Sequence, residues 1–495
     1  MQTHSYQAAA CLPAVHLQRE AALEHRFDFQ ENLPRILACD ARILSFETLG
    51  EDSRHSLSGM AEMILYTSSS GILSTHKARL PFQVDLSYDV PLFGVQAVCS
   101  CTQVRLRRQD DASYRAQCSV QVTASGFPQQ EMTLVHSISD PVPESRIDTS
   151  EVLVREVCAH HDLMVEEDAV LEPQLLEIGD ILDLGGHVLF CECQSNAGEA
   201  HITGTLEADL LYRAKDSDTI VHTKLPIPFQ DRLHRADFSE GASPEVHIRG
   251  CDVTGRIYPD VEGRDKLLHI SARIPLTLLE DQSETLTHME DAFYPDRELI
   301  LDRKPERISC VPLRSRITQP VRLQFSGEGE SPAEVLHALY RLETDSLHCT
   351  QDHCRLESNL SVSILFRDRA GTLRTEVFNT SLETQCSISC PQLTLFPQDY
   401  QLLCTPAHDG FALTGEVQWS LTQYPMLDIS PVTDAREGEP YPKEDWSLKL
   451  IAAEEGDTLF SLAKRSRVSL RDLRACNPDA EDTPLRAAQM LTVIR

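Results

Sequence analysis

Long runs in which apolar and polar residues alternate dominate this sequence and predict β-strands. One run, residues 268–278, places six apolar side chains on one face. Because successive side chains of a strand point to opposite faces, such a run can bury one face in a core and expose the other to water. Residues 114–122 and 411–421 show the same period. The pattern favours a mainly β fold built from antiparallel sheets.

A second pattern indicates that these strands belong to three copies of one unit. Three segments end in an aromatic residue preceded by aliphatic residues, and these aromatics, Tyr66, Tyr212 and Phe366, are spaced by 146 and 154 residues. An aliphatic pair precedes each of them by about 30 residues, as Ile36-Leu37, Ile181-Leu182 and Val335-Leu336. Internal periods of this kind indicate repeated structural units. Each unit is expected to be two packed antiparallel sheets.

These patterns divide the chain into four predicted domains. Residues 1–145, 146–305 and 306–435 are predicted to be tandem antiparallel β-sandwich-like repeats, and residues 446–495 to be a small βααβ domain. The third repeat is divergent, because Leu382 stands where the first two copies carry a Pro-Phe pair.

Connecting segments are expected where prolines, charges and irregular spacing replace the alternation. Linkers are predicted near residues 140–150, near residues 300–330 and at residues 433–443, where prolines and charged residues indicate a flexible joint. Residues 150–177 are predicted to hold a helix, because the valines near the start of this segment loosely follow helical spacing.

The charge balance argues against several classes of partner. With 45 Lys and Arg residues against 76 Asp and Glu residues, the formal charge is −31. A chain this acidic repels phosphate backbones and anionic lipids, so no nucleic-acid partner is expected. No segment reaches the ~20 apolar residues of a spanning helix, so membrane insertion is not expected. The N-terminal residues lack a signal-peptide pattern, which predicts a cytoplasmic protein whose 16 cysteines stay reduced.

The last fifty residues follow a different pattern. Residues 448–451 are predicted to form a strand, and Gly456-Asp457-Thr458 a tight turn in which Asp457 or Thr458 caps a helix beginning at Leu459. Ser469 is predicted to cap a second helix that Asn477-Pro478 ends, and residues 490–494 to form a closing strand.

This βααβ order resembles the LysM domain. The resemblance rests on short motifs at matching places: Gly456-Asp457-Thr458-Leu459, Leu462-Ala463, Val468-Ser469, Asn477-Pro478 and Gln489. Ala488 departs from the family, which usually has glycine there. LysM domains bind polymers of N-acetylglucosamine in a shallow groove. The resemblance implies that such a groove consists of Gly456, Asp457, Thr458, Leu459, Asn477 and Pro478.

The repeats are similar to the SPOCS domains of spore-coat proteins in Firmicutes. The resemblance rests on residues 33–37, on the Ile-Leu-Tyr strand end at Tyr66 and on the Pro-Phe strand at Pro81-Phe82. Such repeats followed by one LysM domain are the organisation of a clostridial family of coat-morphogenetic proteins. The resemblance implies a non-enzymatic adaptor in the cytoplasm of the mother cell, at the forespore surface. Its implied partner is the spore-coat morphogenetic ATPase of the basement layer.

A basic patch on the predicted helices is the other candidate binding feature. It comprises Lys464, Arg465, Arg467, Arg471 and Arg474. Such a patch can be a solvated helix face, can attract an acidic partner, or can bind back onto the acidic repeats.

Two alternative functions remain open from the sequence. A peptidoglycan-binding cell-wall protein would use the LysM groove for the glycan itself. A metal-dependent enzyme could use the cluster His348-Cys349-Thr350-Gln351-Asp352-His353-Cys354, although its cysteine spacing is longer than that of common zinc sites. The sequence contains no Gly-x-Ser-x-Gly, His-Glu-x-x-His or P-loop motif. We therefore expect no catalytic residues, no cofactor and no metal.

Overall fold

The protein is mainly β in a computed structural model, as the alternating pattern predicts. The structure describes residues 1–495 apart from short gaps, and within the described part it has 27 strands and two short helices. The gaps are residues 31–32, 52, 197, 235–237, 328–330, 351, 391, 443–445, 481–483, 487–488 and 495.

The elements follow one another in four groups. The first group is β1 (Gln2–Cys11), β2 (Val15–Asp28), β3 (Arg35–Glu51), β4 (Arg54–Ser69), β5 (Ile72–Asp85), β6 (Phe93–Arg108), β7 (Ser113–Phe127) and β8 (Gln129–Ser139). The second group is β9 (Glu144–Val170), β10 (Ile178–Asn196), β11 (Glu199–Ala214), β12 (Ile220–His234), β13 (Glu245–Ile248), β14 (Asp252–Tyr258) and β15 (Leu267–Phe293). The third group is β16 (Arg297–Arg303), β17 (Glu306–Ser309), β18 (Leu313–Ser326), β19 (Pro332–Cys349), β20 (His353–Asp368), β21 (Leu373–Ser387), β22 (Leu393–Ala407), β23 (Gly410–Gln423), β24 (Met426–Ile429) and β25 (Val432–Pro440). The last group is β26 (Leu448–Ala452), α1 (Leu459–Ser466), α2 (Leu470–Cys476) and β27 (Met490–Ile494).

Each of the first three groups forms a sandwich of two antiparallel sheets. The inner sheets have the strand orders β3-β4-β5, β10-β11-β12 and β19-β20-β21. The outer sheets have the orders β2-β7-β6 and β18-β23-β22, and in the second sandwich β15 lies between β9 and the pair β13 and β14. The three alternating runs are the middle strands β7, β15 and β23. Their apolar faces pack into the three separate sandwich cores.

The strand pairing aligns the first two repeats one residue away from the alignment that the aromatics suggested. Gly59 and Gly204 each pair with the phenylalanine of a Pro-Phe strand, so these two glycines are equivalent. Counting along β4 and β11 from the glycines, Tyr66 corresponds to Leu211 and not to Tyr212. Because side chains alternate, Tyr212 lies in its own sandwich core whereas Tyr66 points out of the inner sheet.

The inner sheets of the three sandwiches meet in one shared apolar cluster, which we call the axis cluster. Nine of its buried side chains come from three equivalent positions: Leu37, Tyr66 and Leu73, then Leu182, Leu211 and Ile220, then Leu336, Leu365 and Leu373. Equivalent residues that converge in this way define an approximate threefold axis. Each fully buried leucine contributes about 1.5–3 kcal/mol relative to exposure, so the cluster holds the sandwiches together.

Beyond the sandwiches the chain forms three two-stranded ribbons, which we call the stem. One ribbon pairs β1 with β8, one continues the β9–β15 pair, and one pairs β16 and β17 with β25 and β24. Side chains of all three ribbons pack together in two buried clusters. Every sandwich is therefore inserted between the two strands of its own ribbon.

The predicted helix is wrong, and so are most of the predicted linkers. Of the linker predicted near residues 140–150, residues 144–150 belong to β9 and pair with β15. Residues 150–170 of the predicted helix belong to β9, which is paired with β15 along its whole length. A register shift at Val154 turns the strand, so that Val152 faces the stem while Val157 faces the sandwich core. This β-bulge produces the irregular valine spacing that resembled a helix.

The segments predicted as linkers near 300–330 and at 433–443 also form paired strands. Residues 297–303 pair with the strand Val432–Pro440, and residues 313–326 with the strand Gly410–Gln423. Residue 443 lies outside the described residues. The prolines and charges fit these positions because the strands lie at sheet edges, where one side needs no backbone partner.

Candidate functional site

The C-terminal unit, residues 446–495, has the predicted βααβ order. Strands β26 and β27 pair antiparallel, with Leu448 opposite Ile494 and Ala452 opposite Met490. The two helices lie against this ribbon because each carries apolar residues at helical spacing. The buried core of the unit includes Ile451, Leu459, Leu462, Ala463, Val468, Leu473, Leu485, Leu491 and Val493.

The turn before α1 has the geometry that its residue types predict. Gly456 adopts a φ of 88°, a left-handed conformation that favours glycine, and the Asp457 N–H donates to the carbonyl of Glu454 at 3.2 Å. Thr458 is the N-cap of α1. Its side chain accepts from the Ser461 N–H at 3.2 Å, while the Ser461 hydroxyl accepts from the Thr458 N–H at 2.9 Å. This reciprocal capping fixes the start of the helix.

The Asp457 carboxylate is held inside the unit. It accepts hydrogen bonds from the Glu454 N–H at 2.8 Å and from the Ser461 hydroxyl at 3.0 Å, and it pairs with Arg465 at 2.9 Å. These donors, the Glu454 N–H foremost, lower the pKa of Asp457 from its ordinary value. The carboxylate therefore stabilises the turn and the first turn of α1.

Asn477 fastens the end of α2 to the last strand. Its amide donates to the carbonyls of Leu473 at 2.7 Å and of Thr492 at 2.6 Å, and its oxygen accepts from the Thr492 N–H at 2.9 Å. Its polar atoms are thus used within the unit.

The structure brings the two walls of the expected groove together. The Leu485 N–H, in the loop before β27, donates to the carbonyl of Asp457 at 2.7 Å. Gly456 and Pro478 are exposed, whereas the Leu459 side chain is only 1% exposed and belongs to the core. A ligand on this surface would touch the turn backbone and Pro478. The predicted departure at Ala488 lies outside the described residues.

The basic patch is divided among different contacts. Lys464 pairs with Asp291 of the stem at 2.5 Å, and Arg465 pairs with Glu454 at 3.0 Å. Arg467 ends α1 in a left-handed conformation and places its guanidinium 4.0 Å from the centre of the Tyr441 ring. Arg471 and Arg474 are exposed on α2. Lys464 of the patch thus binds back onto the rest of the chain, which is one of the three alternatives that the sequence left open.

An aromatic contact also packs the C-terminal unit against the stem. The Phe460 ring of α1 meets the Phe293 ring at the end of β15 edge to face, with centroids 5.3 Å apart, and Arg146 lies 5.7 Å over the same Phe460 ring. Sequence reasoning missed Phe293, Arg146 and Asp291, because no local pattern reveals which distant surface a domain contacts.

The cysteine–histidine segment 348–354 spans the turn between β19 and β20. The sulfurs of Cys349 and Cys354 lie 3.5 Å apart, but Cys349 and His353 are exposed and Cys354 is buried. Within the described part of the chain, the segment does not bring three metal-binding side chains together. The geometry gives the metal-enzyme alternative no support.

No family model, curated protein or solved structure matches the chain. In the described residues, neither helix is long and apolar enough to cross a membrane.

Proposed function

We propose that the chain is a non-enzymatic adaptor of spore-coat assembly that acts in the mother-cell cytoplasm. In this role it recruits the coat morphogenetic ATPase to the forespore surface through its C-terminal unit and its repeats. The resemblance of the repeats to SPOCS domains and of the tail to LysM domains supports the proposal.

The proposal depends on how the C-terminal unit contacts the stem and which of its residues stay exposed. Phe460 and Lys464 attach one side of the unit to the stem, while Gly456, Pro478 and Arg471 remain exposed. A rigid body that presents a small, fixed surface suits the binding of a partner protein, because little conformational freedom is lost on binding.

Binding of the full-length protein to two kinds of target tests the proposal. The variant P478D/R471E changes the exposed surface, and R322E, on the distant β18, is the matched charge-reversal control. We expect the coat ATPase to bind wild type and R322E alike, and to bind P478D/R471E at least about tenfold more weakly, which corresponds to ~1.4 kcal/mol.

Retention on insoluble peptidoglycan decides the alternative. If the wild-type protein binds the glycan and not the ATPase, the chain is a peptidoglycan-binding protein and the adaptor proposal is rejected. If P478D/R471E binds the ATPase as tightly as R322E does, the C-terminal surface is not the contact.

A further inference from the structure

A cavity of about 610 Å³ lies where the three sandwiches meet, beside the axis cluster. Its walls come from all three sandwiches. Three side chains in this wall have metal-binding atoms that all lie within 4.8 Å of one another: Asp209, His222 and His337. Asp209 and His222 belong to neighbouring strands of the second sandwich, and His337 belongs to the third.

Asp209 and His222 already form a hydrogen bond with each other. The Nε2 atom of His222 lies 2.6 Å from Oδ1 of Asp209, close enough for a strong hydrogen bond. Hydrogen-bonded pairs of this kind are common in the absence of a metal. The pair therefore indicates a metal site only together with the third side chain, His337.

His337 supplies the observation that points to a ligand. This residue is only 7% exposed, its ring lies 5.1 Å from the ring of His222, and its Nδ1 atom is buried without a hydrogen-bond partner in the described structure. A buried polar atom without a partner destabilises the folded state. An ion held between the three side chains would give the buried His337 imidazole a polar partner.

A cation also lies close to these three side chains. The ammonium of Lys224 is in the same cavity wall, and its charge is paired with Glu207 at 2.6 Å.

We propose that Asp209, His222 and His337 bind a divalent transition-metal ion of the zinc class that joins the second sandwich to the third. Two imidazoles and one carboxylate are ligands that zinc accepts at tetrahedral sites, with one position left for water. On binding, the proton between His222 and Asp209 leaves Nε2: a neutral imidazole takes it up at Nδ1 as the other tautomer, whereas an imidazolium, already protonated at Nδ1, releases it to solvent. The site departs from the sequence-based expectation that the chain holds no metal.

The other two junctions between sandwiches lack the same set. By the strand registers, Thr75 and Thr375 correspond to His222, while Ala38 and Asp183 correspond to His337. Threonine is therefore a suitable replacement for His222 in a test variant, because it already occupies the equivalent position in the other two sandwiches.

Zinc titration of the chelator-treated, full-length protein tests the proposal. We expect wild type to bind one equivalent of Zn²⁺ with a rise in its thermal unfolding midpoint. H222T is expected to bind it at least about 100-fold more weakly, a larger loss than the ~10–100-fold cost of removing an outer-shell partner. The matched control is H269T, because His269 is also bonded to an aspartate, Asp168 at 2.7 Å, on an outer sheet.

Two further variants and a spectrum separate this site from thiol binding. C349S should bind zinc like wild type, and cobalt bound in place of zinc should show no thiolate charge-transfer band. No binding by wild type, equal binding by H222T and H269T, or loss of binding in C349S would each overturn the proposal. H337A should match H222T in losing zinc and thereby confirm that the third sandwich contributes a ligand.

Discussion

At the residue scale, the junction between the first and second sandwiches depends on one buried carboxylate. Asp183 accepts a hydrogen bond from the Tyr66 hydroxyl at 2.8 Å and pairs with Lys77 at 2.6 Å and with Arg42 at 3.1 Å. Burial opposes ionisation of Asp183, but the charges of Arg42 and Lys77 outweigh it and hold the pKa of this carboxyl well below its usual range. The tyrosine at a position where the other sandwiches carry leucine thus has a polar function as well as an apolar one.

The variant D183N should destabilise the protein by about 3 kcal/mol, because Lys77 would remain in place without its counter-charge and Arg42 would keep only its pair with Glu62. This is the low end for a buried pair, since the two cations keep 27% and 32% of their side-chain exposure. Denaturant unfolding at neutral pH measures the loss. The control D162N removes an exposed pair with Arg273 and should cost less than about 1 kcal/mol. Equal losses in both variants would contradict the argument.

At the element scale, the sequence predicts the strands that form the sandwich cores and fails for those that form the stem. The strands β7, β15 and β23 alternate because one face meets a core made of their own repeat. The strand Glu144–Val170 changes its buried face at a bulge, and the strand Val432–Pro440 is an edge strand rich in charge. Their partners lie far away in the sequence, so local periodicity cannot reveal them.

The C-terminal helices were predictable because their caps are local. Ser469 caps its helix as predicted, Thr458 is the cap among the two predicted candidates Asp457 and Thr458, and the turn at Gly456 forms as predicted. The sequence could not predict which residues of the groove stay available to a ligand. Asp457 and Asn477 form hydrogen bonds inside the unit, and these bonds appear only in the three-dimensional structure.

The turn before α1 should lose stability in acid. Because the pKa of Asp457 is lowered by folding, its contribution is present above the ordinary pKa of about 4 and is lost as the pH falls through the folded pKa. Hydrogen exchange of residues 454–468 measures this contribution. D457N should exchange faster than wild type at pH 6, and the difference should vanish as the pH falls below the lowered pKa of Asp457. A difference that stays constant with pH would show that the charge of Asp457 is not the cause.

At the scale of the whole molecule, the stem and the C-terminal unit should separate when their ion pair is reversed. K464E places a second negative charge beside Asp291, which is largely buried. The variant should raise chymotrypsin cleavage between residues 441 and 447 roughly tenfold, which is equivalent to ~1.4 kcal/mol of docking free energy. R471E, an exposed residue of the same unit, is the matched control and should leave the cleavage rate unchanged. Equal cleavage of the two variants would show that Lys464 does not hold the unit in place.

The approximate threefold axis gives this single chain a freedom that a ring of three identical subunits lacks. Identical subunits must repeat every substitution at every interface, because one gene encodes all copies. Here each copy has its own codons, so one interface can acquire an imidazole pair, another a buried ion network, and the third a single ion pair between Arg341 and Asp40. Covalent linkage also makes the closed ring independent of concentration, and mutations can specialise one sector while the other two preserve the architecture.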